Sequence, residues 1–170
     1  MAMANAASAP LDLQVEHFLT VLGLATVSAH DAEVSLRVAY AAARFSHETA
    51  PESSGDEASD TKAAQDLLRT AESLTAGQLL KGYVAPMTAL VDARAPHAFP
   101  TLNEIEAALA DAVAKRNRMT HHLRDLGTGQ LGSEEWVATA TDTLMEWTNV
   151  FLGAQQLAWR LGGVADPLAE

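Results

Sequence analysis

After Pro10, apolar residues recur in steps of three and four. Val15, Phe18, Leu22, Ala25, Ala29, Ala32, Leu36, Ala39 and Ala43 fall on one face of a helix. The stripe runs on through Ser28-Ala29-His30-Asp31, so the pattern predicts one long helix over about 11–46 rather than two. Ser28 or Asp31 would cap a second helix if the chain broke there. Glu33 and Arg37 stand four apart in the favourable order and are expected to pair on its surface. Residues 1–10 read as a flexible tail. Residues 48–60 contain five acids and no large apolar side chain; they predict a disordered acidic loop that contributes nothing to a core.

A helical pattern resumes near Thr61. The stretch Ser73-Leu74-Thr75-Ala76-Gly77-Gln78-Leu79-Leu80 predicts a break and then a short helix. Gly82 and Pro86 weaken the helical pattern beyond it, so 75–94 is expected to be kinked or split. Pro96 and Pro100 bracket a turn. Thr101-Leu102-Asn103-Glu104 fits a capping box, in which each end residue's side chain satisfies the other's free backbone amide. Leu102, Ile105, Leu109, Val113 and Met119 give the helix behind it an apolar side as far as about Leu123. Gly127, Gly129 and Gly132 form the next connection. Ser133 is placed to cap a last long helix carrying Trp136, Ala140, Leu144, Trp147, Phe151 and Leu157 or Ala158, which Gly162-Gly163 terminates. The expectation is an all-α fold: one domain over 11–163, an up-and-down bundle of four main helices plus a short helix.

Composition agrees with one packed domain, since 48% of the 170 residues are hydrophobic and 19% charged. With no cysteine there is neither a disulfide framework nor a thiolate metal site. The longest apolar stretch, Val21 to Ala29, is interrupted by Thr26 and Ser28 and is too short to span a bilayer. The first basic residue is Arg37, so the N-terminus lacks the positive region of a secretory signal or the arginines of a transit peptide. A soluble cytoplasmic protein with no membrane contact is the expectation.

Charge changes the picture. The formal net charge is −11, yet Lys115, Arg116, Arg118 and Arg124, four of the 11 Lys and Arg residues, lie within ten positions beside His121 and His122. The overall acidity argues against broad coating of nucleic acid, which needs many cations to displace counterions. A focused anion site remains, and a twofold dimer would double it. In an ideal helix Asn117 and His121 share a face, whereas Arg116 and His121, five apart, diverge by about 140°. Convergence of all three is therefore expected to require bending or fraying near His121. An imidazole can move a proton to or from a ribose 2′-hydroxyl, and a guanidinium fork can stabilise a pentavalent phosphorane.

The sequence Arg116-Asn117-Arg118-Met119-Thr120-His121, late in a helix of a small bundle, resembles the HEPN superfamily, whose signature is Arg-x(4–6)-His with a polar residue directly after the Arg. The long first helix and the segment Leu74-Thr75-Ala76-Gly77-Gln78-Leu79-Leu80 agree with that resemblance, which covers about residues 11 to 160. It implies a metal-independent RNA endonuclease acting as a homodimer whose two motifs face each other. Arg116 would hold the scissile phosphate, His121 would transfer the proton and Asn117 would orient one of them. Lys115, Arg118, His122 and Arg124 would supply further substrate contacts. Many such proteins are toxins neutralised by an antitoxin, or act in phage defence; others are silent and bind nucleotides or proteins. The second His122 and the acidic exterior depart from the pattern.

Other readings of the same residues stay open. Arg116, Asn117 and His121 also suit a hydrogen-bonded cluster that pins a helix to its neighbours. Lys115, Arg118 and Arg124 suit a solvated face near a helix C-terminus. Trp136, Trp147, Phe151 and Trp159 are expected in the core or at an interface. A catalytically silent binding module and a structural subunit are the alternatives to the nuclease. No cofactor is implied. The absence of Glu-x-x-His excludes a di-iron carboxylate bundle, and a three-histidine zinc site would have to combine His17 or His30 with His121.

Overall fold

The computed structural model describes residues 10–49, 57–82, 102–122 and 131–163, with the backbone alone at 46–49, 57, 102–103, 122 and 160–163. These residues are helical throughout, apart from short turns, and include no strand. Helix α1 spans Leu11–Thr49 and α2 spans Glu57–Ser73. A short helix α3 covers 76–82. Helix α4 spans Leu102–His122 and α5 Glu134–Gly163.

The predicted long first helix is a single helix of 39 residues, unbroken at Ser28 or Asp31, so it is about 58 Å long. Ser28 and Ser35 are buried within it beside Ala25, Ala29, Ala32 and Ala39. This run of small residues lets α5 approach closely, and α1 with α5 is the most extensive packing in the molecule. On α5 the matching positions are Val137, Ala140, Thr141, Leu144, Thr148, Phe151, Ala154 and Ala158, all buried. Thr141 and Thr148 donate their hydroxyls to the carbonyls of Val137 and Leu144 at 2.7 and 2.8 Å, so neither is a buried orphan.

Pairs of neighbours give the directions of the helices. Phe18 and Trp136, each near a helix start, lie with ring centroids 5.6 Å apart. Further along, Ala29, Ala32 and Leu36 surround a crevice with Phe151 and Ala154, so α5 runs parallel to α1. Arg118 stacks over Trp147 at 5.8 Å, while Leu109 and Ala112 reach the crevice beside Phe151 and Ala154; α4 therefore runs opposite to both. α2 lies against Val38, Ala41, Ala42 and Phe45 through Ala64 and Leu68. Gly82 brings α3 so close to Tyr40 that a Cβ there would sit 2.8 Å from the ring.

One expectation about boundaries is corrected. In the acidic segment 48–60, residues 48–49 and 57–60 are helical rather than loop, because α1 continues to Thr49 and α2 already begins at Glu57. Its acids favour a helix start, where negative charge meets exposed amide donors. The break at Leu74 and Thr75 is found where expected. It is fixed by a reciprocal cap: Thr75 N donates to Gln78 Oε1 at 2.9 Å, and Gln78 N donates to Thr75 Oγ1 at 3.3 Å. Ser133 caps α5 as expected, accepting from Trp136 N at 3.3 Å. The tail at 1–9, residues 50–56, the Thr101 side of the expected capping box, and the segments with Pro86, Pro96, Pro100, Gly127 and Gly129 lie outside the described residues.

Candidate functional site

On α4, Ile105, Leu109, Ala112 and Met119 are buried. They are separated by four, three and seven residues, and Arg116 occupies the vacant step of that register. A guanidinium thus stands where the helix otherwise presents apolar groups to α5 and the groove between α5 and α1. It is only half-buried, with 34% of its side chain exposed, and its Nη2 forms an ion pair with Glu33 Oε2 on α1 at 2.8 Å. The Glu33 side chain is 11% exposed and also accepts Arg37 Nη2 on Oε1 at 2.6 Å. One carboxylate therefore holds two guanidiniums, one on each oxygen. Beneath the pair lies an apolar crevice of about 20 Å³ lined by Ala29, Ala32, Leu36, Leu109, Ala112 and Phe151. Low polarizability on that side strengthens the ion pair.

Outward is an open cleft of about 560 Å³. It is lined by Glu33 and Arg37 of α1, by Ser73 to Gly77 at the α2–α3 turn, and by Arg116, Asn117 and His121 of α4. All three motif residues therefore meet in one place. The expected fraying does not occur, because α4 stays helical to His122. The long Arg116 side chain makes up the angular difference: anchored to Glu33, it also donates from Nη1 to Asn117 Oδ1 at 3.2 Å. His121 and Asn117 are exposed in the cleft. The turn Ser73 to Gly77, held by the Thr75–Gln78 cap, completes the lining.

The basic island of the sequence is divided by the helix. Lys115 and Arg118 are absent from the cleft lining. Lys115 Nζ donates to both carboxylate oxygens of Asp111, at 2.7 and 2.8 Å. Arg118 stacks on Trp147. The His122 side chain and Arg124 lie outside the described residues. Of the aromatic residues, Phe151 is fully buried and Trp136 and Trp147 pack on the core, whereas Trp159 is exposed.

Sequence reasoning expected Arg37 and Glu33 as a surface pair; the pair forms, but it is part-buried and lines the cleft. The one hint was Arg116 itself, an arginine in the apolar register of α4 whose charge calls for a polar partner or solvent, with nothing to say which. Among the described residues no group of three or more His, Asp or Glu is placed to hold a metal ion. None of their helices is long and apolar enough to cross a membrane. No family model, curated protein or solved structure matches this chain.

Proposed function

We propose that the chain is a HEPN-like, metal-independent endoribonuclease with its active site in this cleft, and that the helices form the up-and-down bundle of that superfamily. The observation that carries this reading is the convergence of Arg116, Asn117 and His121 on one open cavity, with Arg116 locked in position by Glu33. In the reaction, His121 takes the proton of a ribose 2′-hydroxyl as its oxygen attacks the adjacent phosphorus. The bond to the 5′-oxygen breaks, and that oxygen leaves with a proton. Arg116 stabilises the charge that gathers on the phosphorane, and Asn117 holds the guanidinium in plane. A fixed donor needs no reorganisation as the charge develops, which is where the anchoring by Glu33 contributes.

The reading includes a homodimer in which the partner's motif supplies the second proton carrier. Exposed Leu13, Leu24, Val27, Met145, Leu152 and Trp159 offer apolar surface for such an association. A role as toxin or phage-defence component, with an antitoxin as partner, belongs to the same proposal. One observation favours a second reading, a silent binding module: Arg116 already has a carboxylate partner, as a purely positioning arginine would.

The test is incubation of the purified protein and its His121→Ala form with cellular RNA in EDTA, followed by end-group analysis. Fragments ending in 2′,3′-cyclic phosphate from the parent alone are the expected result. Because His121 is exposed, its replacement is expected to leave the Tm within about 2 °C, the scale of a neutral surface change. Intact RNA in both incubations would leave the binding module.

A further inference from the structure

Arg37 belongs to no motif, yet it lies in the cleft with a guanidinium only partly used. Its Nη2 is held by Glu33, and its Nε is buried without a hydrogen-bond partner among the described residues. Its position along the cleft is informative. The α1 and α4 helices run in opposite directions and meet at the Glu33–Arg116 ion pair. From that point His121 lies five residues further along α4, and Arg37 four residues further along α1. At 1.5 Å per residue these are roughly 7.5 Å and 6 Å in opposite directions, or about 13 Å between their backbone levels. Both side chains lean back toward the ion pair, but they still face opposite ends of the cleft. Both guanidiniums are tied to the one carboxylate of Glu33, so the Arg37 donors lie nearer to those of Arg116 than these backbone levels, side by side along the cleft as neighbouring phosphates of a strand would require.

We infer that Arg37 binds the phosphate adjacent to the one handled by Arg116 and His121, so that the ligand of the cleft is an oligonucleotide strand spanning at least two phosphates. This rests on the cleft being a nucleic-acid site, as proposed above, but not on its being catalytic. Glu33 is then a positioning residue: by engaging one guanidinium on each oxygen, it spaces two cationic donors along one wall. The two arginines less one carboxylate leave net positive charge in the cleft of an acidic protein, which accounts for focused rather than diffuse binding.

The experiment is isothermal titration of three uncleavable deoxydinucleotides: one with its single phosphodiester only, one with an added 5′-phosphate, one with an added 3′-phosphate. One of the extended probes is expected to bind about tenfold more tightly than the unextended one. In Arg37→Ala the extended probe loses about tenfold more affinity than the unextended one, so the increment disappears on top of any loss common to all three, and Arg37→Lys retains part of it. Circular dichroism of both variants checks folding, and Arg37→Lys serves alone if Arg37→Ala does not fold. Equal binding of all three probes by the parent, or an equal loss for all three on replacing Arg37, overturns the inference. The RNA cleavage assay separates the two proposals: an Arg37-dependent increment without cleavage refutes the nuclease and keeps the two-phosphate cleft.

Discussion

Glu33 is the residue on which the cleft depends, because two guanidiniums share its carboxylate. Removing either arginine leaves the other to neutralise it. Removing Glu33 leaves two half-buried cations facing each other. Glu33→Ala is therefore expected to lower the free energy of unfolding by about 1–3 kcal/mol, and by more than Arg116→Ala does, in urea denaturation of both variants. The reverse order would mean that Arg116 is held by its packing over the apolar crevice rather than by the ion pair. At this scale the sequence was partly legible. The i,i+4 spacing announced Glu33 with Arg37, and the motif announced Arg116, Asn117 and His121. That Glu33 reaches across to Arg116 was not legible, since nothing in a local pattern specifies which face of α1 meets α4.

Among the elements, α1 and α3 show how a close approach is enforced. Gly82 faces the buried Tyr40, where a Cβ would fall 2.8 Å from the ring, whereas Gly23 and Gly153 have nothing within 4 Å. All three lie in helices, where alanine is favoured over glycine by about 1 kcal/mol. Gly153→Ala is accordingly expected to raise stability by about 0.5–1 kcal/mol. Gly82→Ala is expected to lower it by about 1–2 kcal/mol as overpacking outweighs propensity. Thermal melts of the two variants against the parent would show shifts of opposite sign; a stabilised Gly82→Ala would mean that α3 moves away from α1 without cost. Helix existence was readable from periodicity throughout the described elements. The α2 start was missed because Glu57, Ser59 and Asp60 read as loop by composition alone, while their position in the first turn suits acids.

For the molecule as a whole, charge distribution decides what can bind. The net charge is −11, and the cleft is where two guanidiniums share one carboxylate and so keep positive charge. If Arg37 and Arg116 alone meet phosphates, the logarithm of RNA affinity should fall with the logarithm of salt concentration at a slope of about −1.4, the value for two neutralised phosphates on a single strand. A slope of about −3.5 would bring Lys115, Arg118 and Arg124 into the interface and discard the division made by α4. Fluorescence anisotropy with a labelled single-stranded RNA over a range of potassium concentrations distinguishes the two.

Local physics acts through neighbours in the chain, and it determined the all-helical class, the unbroken first helix, the break before α3 and the Ser133 cap. Periodic burial and capping are satisfied within one or two turns, so a single strand of sequence contains them. The sorting of the basic island was decided only in three dimensions. Lys115, Arg116 and Arg118 are near neighbours in sequence, but the helix points them to Asp111, Glu33 and Trp147. Lys115 pairs within its own helix, but whether Arg116 and Arg118 keep donors for a ligand depends on which partner the packing of other helices supplies. For the same reason Arg37, 79 positions before Arg116 in the chain, enters the cleft through the crossing of α1 and α4 and through no pattern a sequence displays.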